Sequence, residues 1–199
     1  MNLKDTLLAT SFELFLKYGI KSVSMDDISK KLGISKKTIY GCVDTKENLI
    51  IDIIEKHIHR DQTDILKILK SSEDAVAEMV NITRHVLIFL RKMTPSLIYD
   101  LKKYHPHAWH KMETSHIEFI QQTIFTNLVR GQKEGLYRND FDPLIISMLY
   151  VHKSMTITDQ DKFPLDKFER VNLFKEMVTY HLHGIVSEEG RDKLVKSDF

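Results

Sequence analysis

Residues 24–40 read SMDDISKKLGISKKTIY, and this stretch decides the fold of the N-terminal part of the chain. Ser24 and Asp27 fit a capping box, in which each side chain accepts a hydrogen bond from the other residue's backbone amide. Gly33 follows the short helix that begins there, and glycine permits the positive φ that a tight turn needs. Ser35 can then cap a second short helix that begins at Lys36. The stretch therefore predicts two short helices joined by a turn of three to four residues, which is the helix-turn-helix pattern.

Both short helices need a core from outside this stretch, because isolated helices below about 12 residues are marginal in water. A first helix is predicted over residues 4–18, in which Leu8, Phe12 and Phe15 share one face. A long helix with an apolar face is predicted over residues 46–70. These two helices enclose the short pair and supply the contacts that it lacks.

The remainder of the chain also has helical periodicity. Apolar residues recur at spacings of three and four, only 7 glycines and 4 prolines interrupt them, and no segment alternates with a period of two. We therefore expect an all-α fold of about nine helices, the later ones at roughly 73–92, 95–104, 106–134, 142–157 and 166–186. The expected division is a three-helix helix-turn-helix domain over residues 1–48, a helical domain over 49–186 and a polar tail over 187–199 that frays.

The composition limits the class of protein. With 42% hydrophobic and 29% charged residues, the chain is typical of soluble globular proteins. Cys42 is the only cysteine, so no intramolecular disulfide can form, which favours a reducing compartment. The longest nearly apolar stretch, residues 143–151, is shorter than the roughly 20 residues of a membrane span, and the first residues have no apolar core of signal-peptide type. We expect a cytoplasmic protein with no membrane partner.

Basic side chains concentrate around the helix-turn-helix. The net charge of the whole chain is only +1, yet six lysines lie between residues 17 and 37 against two aspartates, a local balance of six minus two, or +4. In such motifs the N-terminal residues of the second helix face base edges in the major groove, where lysine can donate to guanine and threonine can contact a thymine methyl. The alternative is an ordinary solvated face. We predict a surface for double-stranded DNA with these candidate contacts: Lys21, Ser24, Ser35, Lys36, Lys37, Thr38, Tyr40 and Lys46.

Short sequence runs within the motif and on both sides of it resemble the N-terminal domain of the TetR family of regulators. The runs are LLATSFELF at 7–15, SMDDI at 24–28, LGIS at 32–35, TIY at 38–40 and KENL at 46–49, and the resemblance covers about residues 3–55. It implies that Thr38, Tyr40 and Lys46 contact DNA and that Lys36 and Lys37 set the sequence that is read. It further implies a homodimer, a palindromic operator, repression of transcription, and release from DNA by a small ligand of unknown identity in the C-terminal domain.

Gly41, Cys42 and Val43 depart from the family pattern, which usually has large or aromatic residues here. Glycine weakens a helix end by up to about 1 kcal/mol relative to alanine. Cysteine is a poor donor to phosphate, and valine fills less volume than phenylalanine. We hypothesise weaker or more conditional DNA binding than usual, which operator affinity in a Cys42→Tyr variant tests.

Polar aromatic residues are frequent in the middle of the chain. A small-ligand site combines apolar walls with a few polar groups, and ordinary packing with surface histidines is the equal alternative. The candidate pocket residues are His85, Phe89, Tyr99, Tyr104, Trp109, His116, Phe119, Tyr150 and His152.

The last two long helices carry apolar stripes that can form a dimer interface. In the TetR family this pair of helices packs across a two-fold axis, and half of the stripe residues can equally face the domain's own core. The candidate interface residues are Ile145, Met148, Leu149, Phe168, Val171, Phe174, Val178 and Leu182.

Other classes of function find little support in the sequence. His107 and His110 have a spacing that could share a metal, yet no cysteine is near, and we expect neither a metal nor a cofactor. No nucleophile elbow, phosphate loop, dinucleotide fingerprint or zinc-protease motif occurs, so we do not expect an enzyme. A helical protein–protein adaptor that has lost DNA binding remains the alternative to a regulator.

Overall fold

Helices account for the architecture of the computed structural model, which describes residues 2–92, 94–159, 161–164, 166–197 and 199, without the side chains of 95, 96, 115 and 116. The described helices are α1 (Leu3–Tyr18), α2 (Met25–Leu32), α3 (Lys36–Tyr40), α4 (Lys46–Ser71), α5 (Ala75–Leu90), α6 (Pro95–Tyr104), α7 (Pro106–Lys133), α8 (Pro143–Thr156), α9 (Arg170–Ile185) and α10 (Glu188–Lys196). Extended backbone pairs in the described ranges only at an isolated antiparallel bridge between Tyr137 and Val186. The all-α prediction is confirmed.

The chain packs as two units. Unit 1 comprises Met1–Asp61 and Lys92–Ser115, and unit 2 comprises Gln62–Arg91 and His116–Phe199. The packing therefore groups α6 with the helix-turn-helix. The sequence-based boundary at residue 48 divides the chain by expected function, DNA binding before it and regulation after it. It stays a prediction, because the packing of segments does not test a division by function.

Unit 1 has a core built from α1, α2, α3, the first part of α4, α6 and the start of α7. Its buried side chains include Leu7, Phe15, Ile28, Ile39, Leu49 and Leu101. The two short helices are held by this core, since Ile28 and Ile39 are both fully buried.

Unit 2 encloses a second core and a buried polar network. Its buried apolar side chains include Val76, Met79, Leu128, Val178 and Leu182. Glu78 is buried among them, and a buried carboxylate needs paired charge and hydrogen bonds. Nη1 of Arg130 and Nδ2 of Asn127 each donate to Glu78 at 2.8 Å. This network ties α5 to α7.

Within the polar tail that was predicted to fray, residues 188–196 form α10, and the expectation of fraying was wrong for these residues. The Ser187 hydroxyl caps the helix by accepting from the amide of Gly190 at 3.1 Å. Nζ of Lys193 donates to Asp74 at 2.5 Å, and Leu194 is buried. The contact between Lys193 and Asp74 joins residues 119 positions apart in sequence, so the polarity of the tail could not indicate it.

Candidate nucleic-acid interface

The predicted capping box at the start of α2 is present. The amide of Ser24 donates to Oδ2 of Asp27 at 2.9 Å, and the amide of Asp27 donates to the Ser24 hydroxyl at 3.2 Å. Hydrogen bonds from the Ser24 side chain and then its backbone hold the pKa of Asp27 below its ordinary value. The carboxylate also sits at the positive end of the helix dipole. Local sequence alone therefore fixes the residue at which this helix begins.

The turn between α2 and α3 requires glycine. Gly33 has φ of +66° and ψ of +29°, in the left-handed region that residues with a Cβ rarely adopt. The amide of Ile34 donates to the carbonyl of Ser29 at 3.2 Å, and the Ser29 hydroxyl donates back to the carbonyl of Ile34 at 2.5 Å. The turn thereby sets the direction in which α3 leaves α2.

Helix α3 presents most of its polar side chains to solvent. Ser35 caps it by accepting from the amide of Thr38 at 3.1 Å, and the two hydroxyl oxygens lie 2.8 Å apart. Ile39 is fully buried, whereas Lys36, Lys37 and Tyr40 are exposed. The five-residue helix is therefore anchored by one apolar residue and offers two ammonium groups and a phenol to a partner.

Lys36 has a protein partner within the motif. Its ammonium lies 3.0 Å from Oδ1 of Asp26 on α2, with both side chains more than half exposed. Hydrogen bonding and the charge of Asp26 raise the pKa of Lys36. An exposed pair of this kind exchanges readily with solvent or with another anion. Asp26 therefore orients the Lys36 side chain, and the ammonium stays accessible at the surface.

The ammonium of Lys46 points inward, at a position where the family resemblance implies a DNA contact. Nζ donates to the carbonyls of Ile20 at 2.6 Å and Val23 at 2.5 Å. Burial lowers the pKa of Lys46. The side chain thus links the segment between α1 and α2 to the start of α4. Of the polar groups of Lys46, the backbone amide stays at the helix N-terminus, where an anion can bind.

Lys21 connects the helix-turn-helix to α6. Its amide donates to Oδ2 of the buried Asp100 at 2.9 Å, and its Nζ donates to the Tyr104 hydroxyl at 3.2 Å. Nδ1 of His105, directly after α6, contacts Oε2 of Glu47 in the first turn of α4. Sequence reasoning missed Asp100, because an aspartate 79 residues from its partner has no local signature.

The departure at residues 41–43 is accommodated by the fold. Gly41 has an ordinary helical conformation, with φ of −75°. Val43 is buried, and Cys42 packs half-buried against the core of unit 1. Valine therefore suffices for the core position, and the predicted effect on DNA affinity stays a prediction.

The candidate pocket residues are divided between the two units. Tyr99, Tyr104 and Trp109 belong to unit 1, where Tyr99 and Tyr104 are more than one-third exposed. In unit 2, Tyr150 is buried, His152 is exposed, and His85, Phe89 and Phe119 are half-buried. The side chain of His116 lies outside the described residues.

Tyr150 has a neighbour that the sequence analysis missed. Its ring meets the ring of His181 edge to face, with centroids 4.9 Å apart. Burial, aided by the charge of Lys153, lowers the pKa of His181 to about 4, and burial raises that of Tyr150. The imidazole is therefore neutral at physiological pH. The spacing of residues 174, 177 and 181 places His181 on the same helical face as Phe174, and this pattern could have predicted that His181 packs inward.

The candidate interface residues fall into two groups. Ile145, Met148 and Leu149 of α8 are between 44% and 56% exposed, and Phe168 is 40% exposed. By contrast, Phe174, Val178 and Leu182 are buried in the core of unit 2, and Val171 packs against that core half-buried. The exposed apolar surface is thus concentrated on α8.

Two kinds of feature are absent among the described residues, a metal-binding cluster and a membrane-spanning helix. No group of three or more histidine, cysteine, aspartate or glutamate side chains there could hold a metal ion. None of the helices in the described part of the chain has the length and apolar character that crossing a membrane requires.

The helix-turn-helix also matches known proteins. Residues 7–53 match the family described as "Bacterial regulatory proteins, tetR family". Over 193 residues the chain is 25% identical to the uncharacterized HTH-type transcriptional regulator YvaF of Bacillus subtilis (strain 168), covering 94% of this chain and 97% of that protein. The sequence likeness thus extends well beyond the motif.

Solved structures share the fold over almost the whole chain. A TetR transcription regulator from Haloarcula marismortui ATCC 43049 superposes with a TM-score of 0.76 at 13% identity, covering 92% of this chain and 98% of that one. A putative transcriptional regulator from Saccharomonospora viridis in complex with choline gives a TM-score of 0.69 at 16% identity, covering 93% and 98%.

Proposed function

Since the chain is a TetR-family transcriptional regulator, we propose that it is a repressor that binds a palindromic operator as a homodimer and is released by a small ligand. The observation that carries the DNA-binding part is the exposed polar face of α3. Ile39 anchors this helix in the core, and Lys36, Lys37 and Tyr40 remain accessible. A short anchored helix with accessible donors suits insertion into the major groove.

Specificity and affinity come from different groups in this proposal. Lys36 and Lys37 read base edges, because lysine can donate to O6 and N7 of guanine. Tyr40 and the backbone amide of Lys46 bind phosphates. The Lys36–Asp26 pair opens when DNA arrives, since the pair is exposed and Lys36 then enters the strong negative field of the DNA.

The exposed apolar stripe on α8 is the basis for a homodimer. Leu144, Ile145, Met148 and Leu149 lie on one side of the helix and are each between 44% and 56% exposed. Tyr180 of α9 is 72% exposed and lies under the ammonium of Lys153 at 4.8 Å. A contiguous apolar surface of this kind marks an association site. A two-fold pair would present two copies of α3 to two half-sites.

Release by a ligand requires a path to the helix-turn-helix, and α6 offers one. Asp100 of α6 holds the amide of Lys21, and His105 contacts Glu47 at the start of α4. A ligand that prefers a shifted position of α6 would change the population of DNA-binding conformations by its differential affinity. One structurally similar regulator was solved with choline, which supports a small organic molecule as the ligand class.

The test is a fluorescence anisotropy titration of the purified protein against DNA from its own upstream region, at two salt concentrations and with random competitor DNA. We expect saturable binding with a steep salt dependence. Lys37→Ala removes a base contact and should weaken operator binding by about 5- to 150-fold, which corresponds to about 1–3 kcal/mol.

Lys70→Ala is the matched control, because Lys70 is an equally charged and exposed lysine outside the helix-turn-helix, in the last turn of α4. It should leave operator affinity unchanged. Equal losses in both variants would mean that α3 reads no sequence and would favour the adaptor alternative. No binding tighter than to random DNA at either salt concentration would count against the repressor.

A further inference from the structure

The unpartnered buried polar atoms of unit 2 lie on one helix. Among the described residues, four buried side-chain nitrogen and oxygen atoms have no hydrogen-bond partner, and three of them belong to Arg170 and His181 of α9. Buried polar groups normally have partners, since an unpaired one has lost its hydration without compensation. Two such side chains on one helix leave three buried polar atoms available to a molecule from outside the chain.

The charged end of the Arg170 side chain is buried, which is unusual for arginine. Arginine normally keeps its charged head in water while its aliphatic stem lies along apolar surface. Here both Nη atoms are buried, although the residue as a whole is only half-buried. Burial lowers the pKa of the guanidinium.

The carboxylate next to Arg170 in sequence is engaged elsewhere. The side chain of Glu169 accepts a hydrogen bond from Nδ2 of Asn172 at 2.7 Å. A buried guanidinium without a counter-ion is costly, and an anion that fills its donors removes the cost. A negatively charged group is therefore the chemical complement of the Arg170 guanidinium.

Arg170 and His181 lie on one face of α9. Positions 170, 174, 177 and 181 follow the spacing of a single helical face, and the two ends are about 16 Å apart at the helical rise per residue. Phe174 is buried between them, and Met177 packs against the core of unit 2. The face therefore has a cationic end, an apolar middle and a neutral polar end formed by His181 against Tyr150.

We propose that unit 2 binds an organic anion, with its acidic group on Arg170 and its apolar body along Met177 toward His181 and Tyr150. The inference rests on the ligand-regulated function proposed above and specifies the chemical class of the ligand. A carboxylate matches the planar guanidinium with two parallel hydrogen bonds. Methionine is flexible enough to admit an apolar body beside it. An organic cation is repelled by the same guanidinium.

Thermal unfolding of the full chain at neutral pH tests the proposal. The probes are decanoate and benzoate, their matched alcohols decanol and benzyl alcohol, and choline as an organic cation. We expect at least one acid to raise Tm saturably and by more than its alcohol, and choline to have no effect. Arg170→Met should abolish the preference for acid over alcohol. Arg191→Met, which removes an exposed arginine of α10, should retain it.

The free protein provides a second readout. Without any ligand, Arg170→Met should raise Tm, because it removes an uncompensated buried charge, whereas Arg191→Met should not. Equal shifts with acid and alcohol, an acid preference that survives in Arg170→Met, or no saturable shift with either acid would each overturn the proposal. A lower Tm of unliganded Arg170→Met would also overturn it, since the guanidinium would then have a partner in the protein.

Operator binding is measured separately, so that the two proposals fail separately. Acid that raises Tm and releases operator DNA in the anisotropy assay supports both. Acid that raises Tm through Arg170 in a protein without specific DNA binding supports the anion site and counts against the repressor. Specific DNA binding with no acid-dependent shift in Tm supports the repressor and counts against the anion site.

Discussion

Replacing Lys46 by methionine distinguishes two roles that one lysine can have, a DNA contact or an internal clip. Its ammonium donates to the carbonyls of Ile20 and Val23, which belong to the segment between α1 and α2. The ammonium also lies 5.7 Å from the centroid of the buried Phe15 ring. We therefore expect Lys46→Met to lower stability and to leave the number of phosphate contacts unchanged.

The magnitude follows from the two hydrogen bonds. Each hydrogen bond to a charged group contributes about 1.5–3 kcal/mol. Lys46 is half-buried, so water replaces part of the loss, and halving the sum gives about 1.5–3 kcal/mol for the pair. For a chain of this length each kcal/mol lowers Tm by about 2–4 °C, so we expect a decrease of about 3–12 °C.

The assay combines thermal unfolding by circular dichroism with operator binding at several salt concentrations. Lys37→Met is the comparison variant, because Lys37 is exposed on α3 and should affect DNA binding with little change in Tm. Each lysine that neutralises a phosphate contributes about one to the slope of log affinity against log salt. An unchanged Tm for Lys46→Met, together with a salt slope reduced by about one, would refute the internal role.

Three further changes probe unit 2. His181→Leu should flatten the pH dependence of stability. The pKa of His181 in the folded protein is about 4, below the ordinary 6.5, so the unfolded state binds the proton first as pH falls. The native protein therefore loses up to about 3 kcal/mol of stability between pH 6.5 and 4, and the variant should not show this loss. Gly131→Ala should lower the free energy of unfolding by about 1–3 kcal/mol in urea titrations, because the added Cβ would lie 2.1 Å from Cδ2 of the buried Tyr137. Ile145→Asp should dissociate the proposed dimer in sedimentation experiments, because it places a charge on the exposed stripe of α8.

Each of these changes has a matched control. His152→Leu alters an exposed histidine and should keep the pH profile. Gly184→Ala adds a Cβ with no atom within 4 Å and should stabilise the protein slightly. Leu66→Asp alters a side chain that is 47% exposed on α4 and should leave the oligomeric state unchanged. If a control variant gives the same result as its test variant, the structural reason given for that test variant is wrong.

Features with partners close in sequence could be read directly from the residues. The capping box of Ser24 and Asp27, the left-handed Gly33 and the cap at Ser35 each depend on backbone groups within about four residues. Helical periodicity likewise reports neighbours three and four positions away. The type and order of α1 to α9 therefore followed from local patterns, as did the surface offered by α3.

The tertiary structure alone decided which charged groups remain available. Lys37 and Lys46 are the same residue type beside the same motif, yet Lys37 is exposed and Lys46 is bound to carbonyls more than twenty residues away. The order in α10 depends on Lys193 reaching Asp74, and the unpaired state of Arg170 depends on what surrounds its guanidinium. Burial and pairing of a charge are properties of its whole surroundings in space, and a linear pattern holds no record of contacts between distant segments.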